Sequence, residues 1–335
     1  MKRHGGLWEK IVHPDNLQLA FKKARKGKGW QLSVRLFELN EAHNLLMLQK
    51  LLETGKFTTS KYKAKTIYEP KMREIYKLPF YPDRIVQHAL LQIVSPIWDK
   101  LMIHDSYACR KGKGMHEACK KTSQYVRRYK YCLKADIKKF YPSINHDIIF
   151  EIVKRKIKCK RTLDLLENII RSYPGGHNTP IGNYTSQWLG NLYMNEVDLR
   201  VKHHYKIPAY IRYCDDFVLF SDDKNLLHDI QRNLAVFLQE KLHLQFSHWA
   251  VFPTAQGVDF LGYRHFPRKT LLRKSTVKRV KLRMKGIVQK FIKCKMTFEE
   301  CRSSIASTEG WLQWCNSYNL RKKLLINEIK GVLVC

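Results

Sequence analysis

Apolar positions recur along most of this chain at the three-and-four spacing of amphipathic helices, and in a few short runs they cluster as they do in strands. The opening "LWEKIVHPDNLQLAFKKARKGK" sets Leu17, Ala20, Phe21 and Ala24 on one helical face and ends in a basic run. That run either touches phosphates or is a solvated helix end. Residues 38 to 53 predict a second helix with Leu45, Leu48, Leu51 and Leu52 facing inward. The most regular helix covers 84 to 101: Ile85, Val86, Ala89, Leu90, Ile93, Val94, Ile97, Trp98 and Leu101 keep the spacing, and Asp83 stands where an N-cap belongs. "KYCLKAD" (130 to 136) predicts a strand ending on Asp136. A basic helical stretch follows over 146 to 172, then the turn-rich loop "YPGGHNTPIGNYTS" and a helix from Gln187 to about His203. Tyr210 to Tyr213 and Phe217 to Phe220 are rich in β-branched and aromatic residues, and predict a hairpin with "CDD" at its tip. Another helix covers 225 to 242, "VDFLGYRHF" is a strand or hairpin, and the last sixty residues are helical and basic. Strands and helices interleave irregularly, so the class is mixed α+β.

Charge narrows the partner. Lys and Arg outnumber Asp and Glu by 62 to 29 in 335 residues, a formal charge of +33. So large an excess favours a polyanion, nucleic acid first. A bilayer-spanning run of about 18 apolar residues is absent, and the N-terminus lacks the apolar core of a signal peptide, so no membrane role is expected. Nine cysteines without a CxxC pair indicate neither zinc nor a disulfide framework, and reduced thiols in a cytoplasm are the simplest expectation.

The chemistry lies in the acids. Asp215 and Asp216 at one tip repel each other, so a positive group is expected beside them, although an acidic turn facing water is equally open from that decapeptide. Asp136 ends a strand in "KADIKKFYPSI". A strand-end Asp with a hairpin-tip pair is what two-metal nucleotidyl transfer requires, because Mg²⁺ takes carboxylate oxygens and two ions clamp the attacking and leaving oxygens. Spacing alone does not bring Asp136 to Asp215.

"LKADIKKFYPSI" with "RYCDDFVLF" resembles the two catalytic motifs of reverse transcriptases. The resemblance continues in order through "EPKMREIYKLPFYPDRIVQHAL", "HDSYACRKGKGMHEA", "PIGNYTSQWLGNLYMNEVD", "GVDFLGYRHF" and "CNSYNLRKKLL". "IGNYTSQ", where most of these enzymes have Gln-Gly and a final Ser-Pro, is similar to the reverse transcriptases of diversity-generating retroelements within the group II intron-like superfamily. So is the N-terminal block. The resemblance implies a right-hand polymerase: an N-terminal helical extension over 1–30, fingers over 31–130, a palm with an antiparallel sheet over 131–266 carrying a helical insertion at about 146–180, and a thumb over 267–335. It implies RNA-directed, error-prone DNA synthesis with misincorporation at template adenine for mutagenic retrohoming in a bacterial or phage-infected cytoplasm. It also implies two Mg²⁺ ions, with Mn²⁺ as a substitute. The implied partners are template RNA, RNA/DNA duplex, dNTPs and a small basic oligomeric accessory protein.

Residue by residue, the resemblance makes Asp136 and Asp215 the principal metal ligands and Asp216 a supporting carboxylate. Arg110, with Lys111 and Lys113, is expected over the incoming triphosphate, where a guanidinium fork suits phosphate. Tyr141 is the expected steric gate against a ribose 2′-OH, and Phe140 is core. Ile181 stands where most relatives carry a Gln that hydrogen-bonds the nucleotide; beside Gly182 and Gln187 it is expected to weaken correct-pair selection. His248 replaces a lysine thought to protonate pyrophosphate, and an imidazole offers less acid at neutral pH. Cys214 packs near the primer end. The segment 268 to 286 is expected to track phosphates, and Trp311, Trp314 and Tyr318 to be core. Two rivals remain: an intron-type reverse transcriptase, disfavoured by the expected lack of room for a maturase region and by "SQ" in place of "SP", and a catalytically idle RNA-binding scaffold.

Overall fold

A computed structural model of the chain describes residues 3–68 and 72–324. The first three residues of "EPKMREIYKLPFYPDRIVQHAL" and the last of "CNSYNLRKKLL", with the rest of the expected thumb to 335, lie outside the described residues. Four helices open the chain: α1 (Trp8–Val12), α2 (Pro14–Arg25), α3 (Leu32–Glu38) and α4 (Glu41–Glu53). As expected, Leu17, Ala20, Phe21 and Ala24 are the buried face of α2. In α4 only Leu48 and Leu52 are fully buried, and Leu45 and Leu51 pack at the margin of the core. A hairpin of β1 (Lys63–Ile67) and β2 (Arg73–Lys77) follows, then α5 (Ile85–Asp99) and α6 (Met115–Arg128). α5 carries the expected apolar stripe, with Ile85, Val86, Ala89, Leu90, Val94 and Trp98 buried. Asp83 does not cap it. The Asp83 side chain is buried and its Oδ1 accepts from the Ser60 backbone N–H at 2.9 Å, so it ties the preceding strand approach instead.

The central sheet is antiparallel in the order β4-β5-β3-β6, built from β3 (Tyr131–Ile137), β4 (Tyr210–Tyr213), β5 (Asp216–Ser221) and β6 (Phe246–Pro253). Between β3 and β4 come α7 (Phe140–Ser143), α8 (His146–Lys154), α9 (Lys160–Ile170) and α10 (Tyr184–Leu199). The helix expected over 146 to 172 is thus broken in two. The gap is strapped to the N-terminus, where His4 N donates to Lys156 O at 2.7 Å and Lys158 N to His4 O at 2.8 Å. The next helix begins three residues earlier than expected, at Tyr184 rather than Gln187. α11 (Lys224–Leu242) separates β5 from β6.

Side-chain alternation assigns the sheet two faces. Leu133, Ala135, Ile137, Phe217 and Leu219 enter the main core with Leu189, Leu192 and Tyr193 of α10 and Leu227, Ile230, Leu234 and Leu238 of α11. Cys132, Ile211, Val218 and Phe220 face a second core with Ala118 and Val126 of α6. Along that second face of β3 the residues pass from buried Cys132 to partly open Lys134 and Asp136, so the face emerges from cover toward its C-terminal end.

"VDFLGYRHF" is the hairpin β7 (Val258–Phe260) and β8 (Tyr263–His265), extended by β9 (Thr270–Leu272). The basic end forms α12 (Lys274–Ile292), α13 (Phe298–Leu312) and α14 (Tyr318–Lys323). Trp311 stacks on Tyr263 at 5.8 Å, in keeping with a core role. Trp314 and Tyr318 depart from that expectation, being 42% and 79% exposed: Trp314 stacks on His116 at the surface of the body, and Tyr318 opens the short last helix.

Candidate active site

The acid pair sits on a two-residue turn. Tyr213 pairs with Asp216, leaving Cys214 and Asp215 to reverse the chain, and Cys214 takes φ 56°. A non-glycine residue in this left-handed region costs roughly 1 kcal/mol, so the surroundings must hold it. Arg212 does so from beneath. Its Nη1 donates to the Cys214 carbonyl at 3.0 Å, while Nε and Nη2 grip both oxygens of Asp198 at 2.7 and 2.6 Å. Further bonds reach Asn191 Oδ1 and Ser106 Oγ, each at 3.0 Å, and Tyr210 OH donates to Asp198 at 2.7 Å. Arg212 and Asp198 are both fully buried. Sequence reasoning passed over both. An Arg between Ile211 and Tyr213 in a strand run was the available signal.

The three carboxylates lie at one end of the sheet. Ala135 pairs with Phe217, so Asp136 falls across from Asp216, and directly opposed residues share a face. Burial raises the Asp215 carboxyl to about 6, with the Asp136 charge adding to it. Burial raises Asp216 to about 7, opposed by Lys134 and reinforced by Asp136 and Asp215. Mutual effects of this kind require the charges to be neighbours. Lys134 Nζ lies 3.9 Å from Asp216 Oδ2, which answers the expectation of a positive group at the tip. The other oxygen, Oδ1, is buried without a hydrogen-bond partner. A bulge in β6 between the partners of Asp136 and Ile137 places the exposed Ser247 beside Asp136, where its hydroxyl donates to Asp136 Oδ2 at 2.9 Å. Ser247 had no sequence signal. His248 is the cross-strand partner of Asp136 and is exposed.

Carboxylate oxygens, one of them orphaned, are a donor set suited to a hard divalent ion. Among the described residues no three His, Cys, Asp or Glu side chains are gathered tightly enough to enclose a metal by themselves. Mg²⁺ seldom asks for that, since it is commonly bound by one or two carboxylates together with substrate phosphates and water.

Around the turn, burial pushes the Tyr141 phenol well up, and the ring lies close to Cys214 and Asp215. A Cβ at Gly190 would stand 3.1 Å from both Phe140 and Tyr141, so the bare glycine of α10 gives the two rings their seat. Phe140 is buried as expected. Ile181 is half-buried and contributes its carbonyl to Tyr76 N at 2.8 Å. Gly182 has φ +126°, and a Cβ there would stand 2.3 Å from Tyr76 O; only glycine lets the loop dock on β2. Gln187 is exposed and accepts from Cys109 Sγ at 3.3 Å. The Cys109 and Cys214 thiols are close enough to perturb each other's titration, Cys109 downward and Cys214 upward.

The basic residues do not stand as expected. Arg110 is not presented to a ligand: its Nε binds Asp99 Oδ1 at 2.6 Å, and its Nη1 binds the carbonyls of Ile103 and Ser106 at 2.6 and 3.0 Å. Its side chain, 9% exposed, ties down the C-terminal end of α5 and the segment after it. Lys113 is also engaged, 2.8 Å from His104 Nε2 and over the Tyr107 ring, while Lys111 is exposed. The cations whose charge lowers Asp215 include Arg73, exposed on β2, and Arg212 beneath the turn. Arg73 belongs to "EPKMREIYKL", one of the blocks that carry the family resemblance, although no role was expected of it there.

Residues 62–265 match the family model described as reverse transcriptase (RNA-dependent DNA polymerase). The group II intron-encoded protein LtrA of Lactococcus lactis subsp. cremoris is 21% identical over 368 residues, covering 85% of this chain and 61% of LtrA. Protein YkfC of Escherichia coli K12 is 24% identical, covering 60% of this chain and 66% of YkfC. The COX1/OXI3 intron 1 protein of Saccharomyces cerevisiae is 29% identical, covering 52% of this chain and 21% of that protein. The chain thus spans from about a fifth to about two thirds of the length of these relatives. With the matched region running from the β1–β2 hairpin to β8 and holding the acid turn within it, the chain belongs to the reverse transcriptase (RNA-dependent DNA polymerase) family.

Proposed function

We propose that the chain is an RNA-directed DNA polymerase whose reacting centre is the sheet end carrying Asp136, Asp215 and Asp216. The observation that carries this is the register that sets Asp136 across from Asp216 beside the turn bearing Asp215, with the Arg73 charge acting on Asp215 from a separate hairpin. In this reading the central sheet is the palm, the β1–β2 hairpin and its helices are fingers, and α12–α14 belong to a thumb. Two divalent ions, when bound by these carboxylates, would supply charge neutralisation at the attacking and leaving oxygens. Ser247 orients the Asp136 carboxylate, and Arg73 binds the triphosphate. Tyr141 occupies the volume a ribose 2′-OH would need and so selects dNTPs. His248, on the Asp136 face, donates a proton to the departing pyrophosphate. Template RNA and the RNA/DNA duplex lie along the basic face of α12.

Primer extension on RNA with Mg²⁺ tests the reading. The wild type extends and Asp215→Asn does not; extension by both would refute it.

Within the family, we assign the chain to the diversity-generating class, on the strength of "IGNYTSQ". Ile181 offers only apolar contact where a glutamine would discriminate by hydrogen bonding. A small basic accessory protein is then the expected partner. Sequencing products opposite template adenine, for wild type and Ile181→Gln, decides: frequent errors reduced by the glutamine support it. Faithful copying by the wild type favours the intron-type reading, which its kinship with LtrA also supports.

A further inference from the structure

One cation is built into the acid cluster itself. Lys134 stands two residues before Asp136 on β3, so the two side chains leave the same face of the sheet about 7 Å apart. Lys134 pairs with Val218 of β5 and with Ala250 of β6, and directly opposed residues share that face. Val218 is buried and Ala250 offers only a methyl group, so the neighbours on either side give the ammonium no partner. Among the described residues the one carboxylate within ion-pair reach of Lys134 Nζ is Asp216, whose Oδ2 lies 3.9 Å away. Both side chains are largely buried, which leaves the pair less screened than one on an open surface.

The contact is one of charge. At 3.9 Å it is longer than a hydrogen bond, so the lysine offsets the charge of Asp216 without tying down its oxygens. Oδ1 is buried with no hydrogen-bond partner, a state that costs free energy unless something else completes it. Asp216 is therefore offset in charge yet unsaturated. A divalent ion held by Asp136 and Asp215 has a claim on the same carboxylate. Ion affinity follows the net charge of the ligand set, and Lys134 takes one negative charge out of that set.

We infer that Lys134 is a resident counter-ion of Asp216 that competes with a divalent ion for that carboxylate and holds down ion affinity at the acid cluster. It acts through Asp216 and touches no reacting atom, which makes it a positioning residue. The inference rests on the polymerase reading for the choice of Asp136 and Asp215 as ligands. Its test measures ion binding with neither RNA nor nucleotide present, so it is separate from primer extension.

Mn²⁺ is titrated into the full chain and the free ion is followed by electron paramagnetic resonance. The wild type shows a weak site that Asp136→Asn/Asp215→Asn abolishes. Lys134→Met keeps the aliphatic bulk and binds at least about ten-fold tighter, the lower end of what one charge at this distance contributes to an ionic equilibrium. Lys134→Arg keeps the charge and stays at the wild-type affinity. Adding Asp216→Asn to Lys134→Met takes most of the gain away, because the two residues act as a pair. The Mg²⁺ midpoint of primer extension falls in Lys134→Met in the same proportion. Wild-type Mn²⁺ affinity in Lys134→Met overturns the inference, and so does a gain that survives Asp216→Asn or that Lys134→Arg shares. Unchanged Mn²⁺ binding together with weaker binding of an RNA–DNA duplex assigns the lysine to a nucleic-acid phosphate and overturns it. A Mn²⁺ site that survives Asp136→Asn/Asp215→Asn removes the polymerase reading and the inference with it.

Discussion

Replacing Arg212 by Met tests how the acid turn is held. The substitution keeps side-chain volume and removes a guanidinium that grips both Asp198 oxygens at 2.7 and 2.6 Å and the Cys214 carbonyl at 3.0 Å. Asp198 would remain fully buried, with the Tyr210 hydroxyl still donating to it and its charge uncompensated. Breaking a buried pair from one side costs about 3–5 kcal/mol, a large part of a total stability of about 5–15 kcal/mol. With a urea slope of about 3 kcal/mol/M, the unfolding midpoint should fall by about 1 M or more. Adding Asp198→Asn removes the stranded charge while keeping an acceptor for Tyr210, so the double variant should be more stable than Arg212→Met alone. Primer extension should stay impaired in both, because Cys214 loses its anchor. A loss below about 1 kcal/mol, the scale of an exposed ion pair, or a double variant as unstable as the two single losses added together, would refute the reasoning.

Other expectations follow from the same geometry. Asp215 and Asp216 are raised from 3.8 to about 6 and about 7, so the folded state holds protons there that the unfolded state has released. Their contribution to stability is therefore full below pH 4 and lost as pH rises through 6 and 7. The melting temperature of the wild type relative to Asp215→Asn/Asp216→Asn should fall over that window, and added Mg²⁺ should raise it at pH 8 but not at pH 5. Gly182→Ala should cut extension at least ten-fold while leaving the melting temperature within a few degrees, since a Cβ placed 2.3 Å from Tyr76 O pushes β2 and Arg73 off the loop; unchanged kinetics would count against that docking. Tyr141→Ala should admit ribonucleotides, read as a fall in the dNTP/rNTP ratio of kcat/KM. Arg73→Ala should raise KM for dNTP, whereas Arg110→Ala should lower the melting temperature by several degrees. The reverse pattern would restore Arg110 to the triphosphate.

Local pattern was enough for most elements and for the acids. The α5 stripe, the alternation of β3 and the "CDD" tip are statements about neighbours a few residues apart, which is the range over which periodicity and turn chemistry act. The sequence alone therefore determined a mixed α+β chain with a hairpin presenting Asp215 and Asp216. Four matters were decided only by tertiary structure. Asp83 was drawn off its capping position by Ser60; Arg110, read as a ligand for phosphate, was taken up by the end of α5; Arg73 was brought to Asp215 by a hairpin; and Ser247 was turned onto Asp136 by a bulge. Asp83 and Arg110 are polar side chains taken out of water that had to find partners, and for all four the partner within reach depended on segments distant in the chain. Residue type sets what a guanidinium or carboxylate is able to bind, and packing sets what it meets.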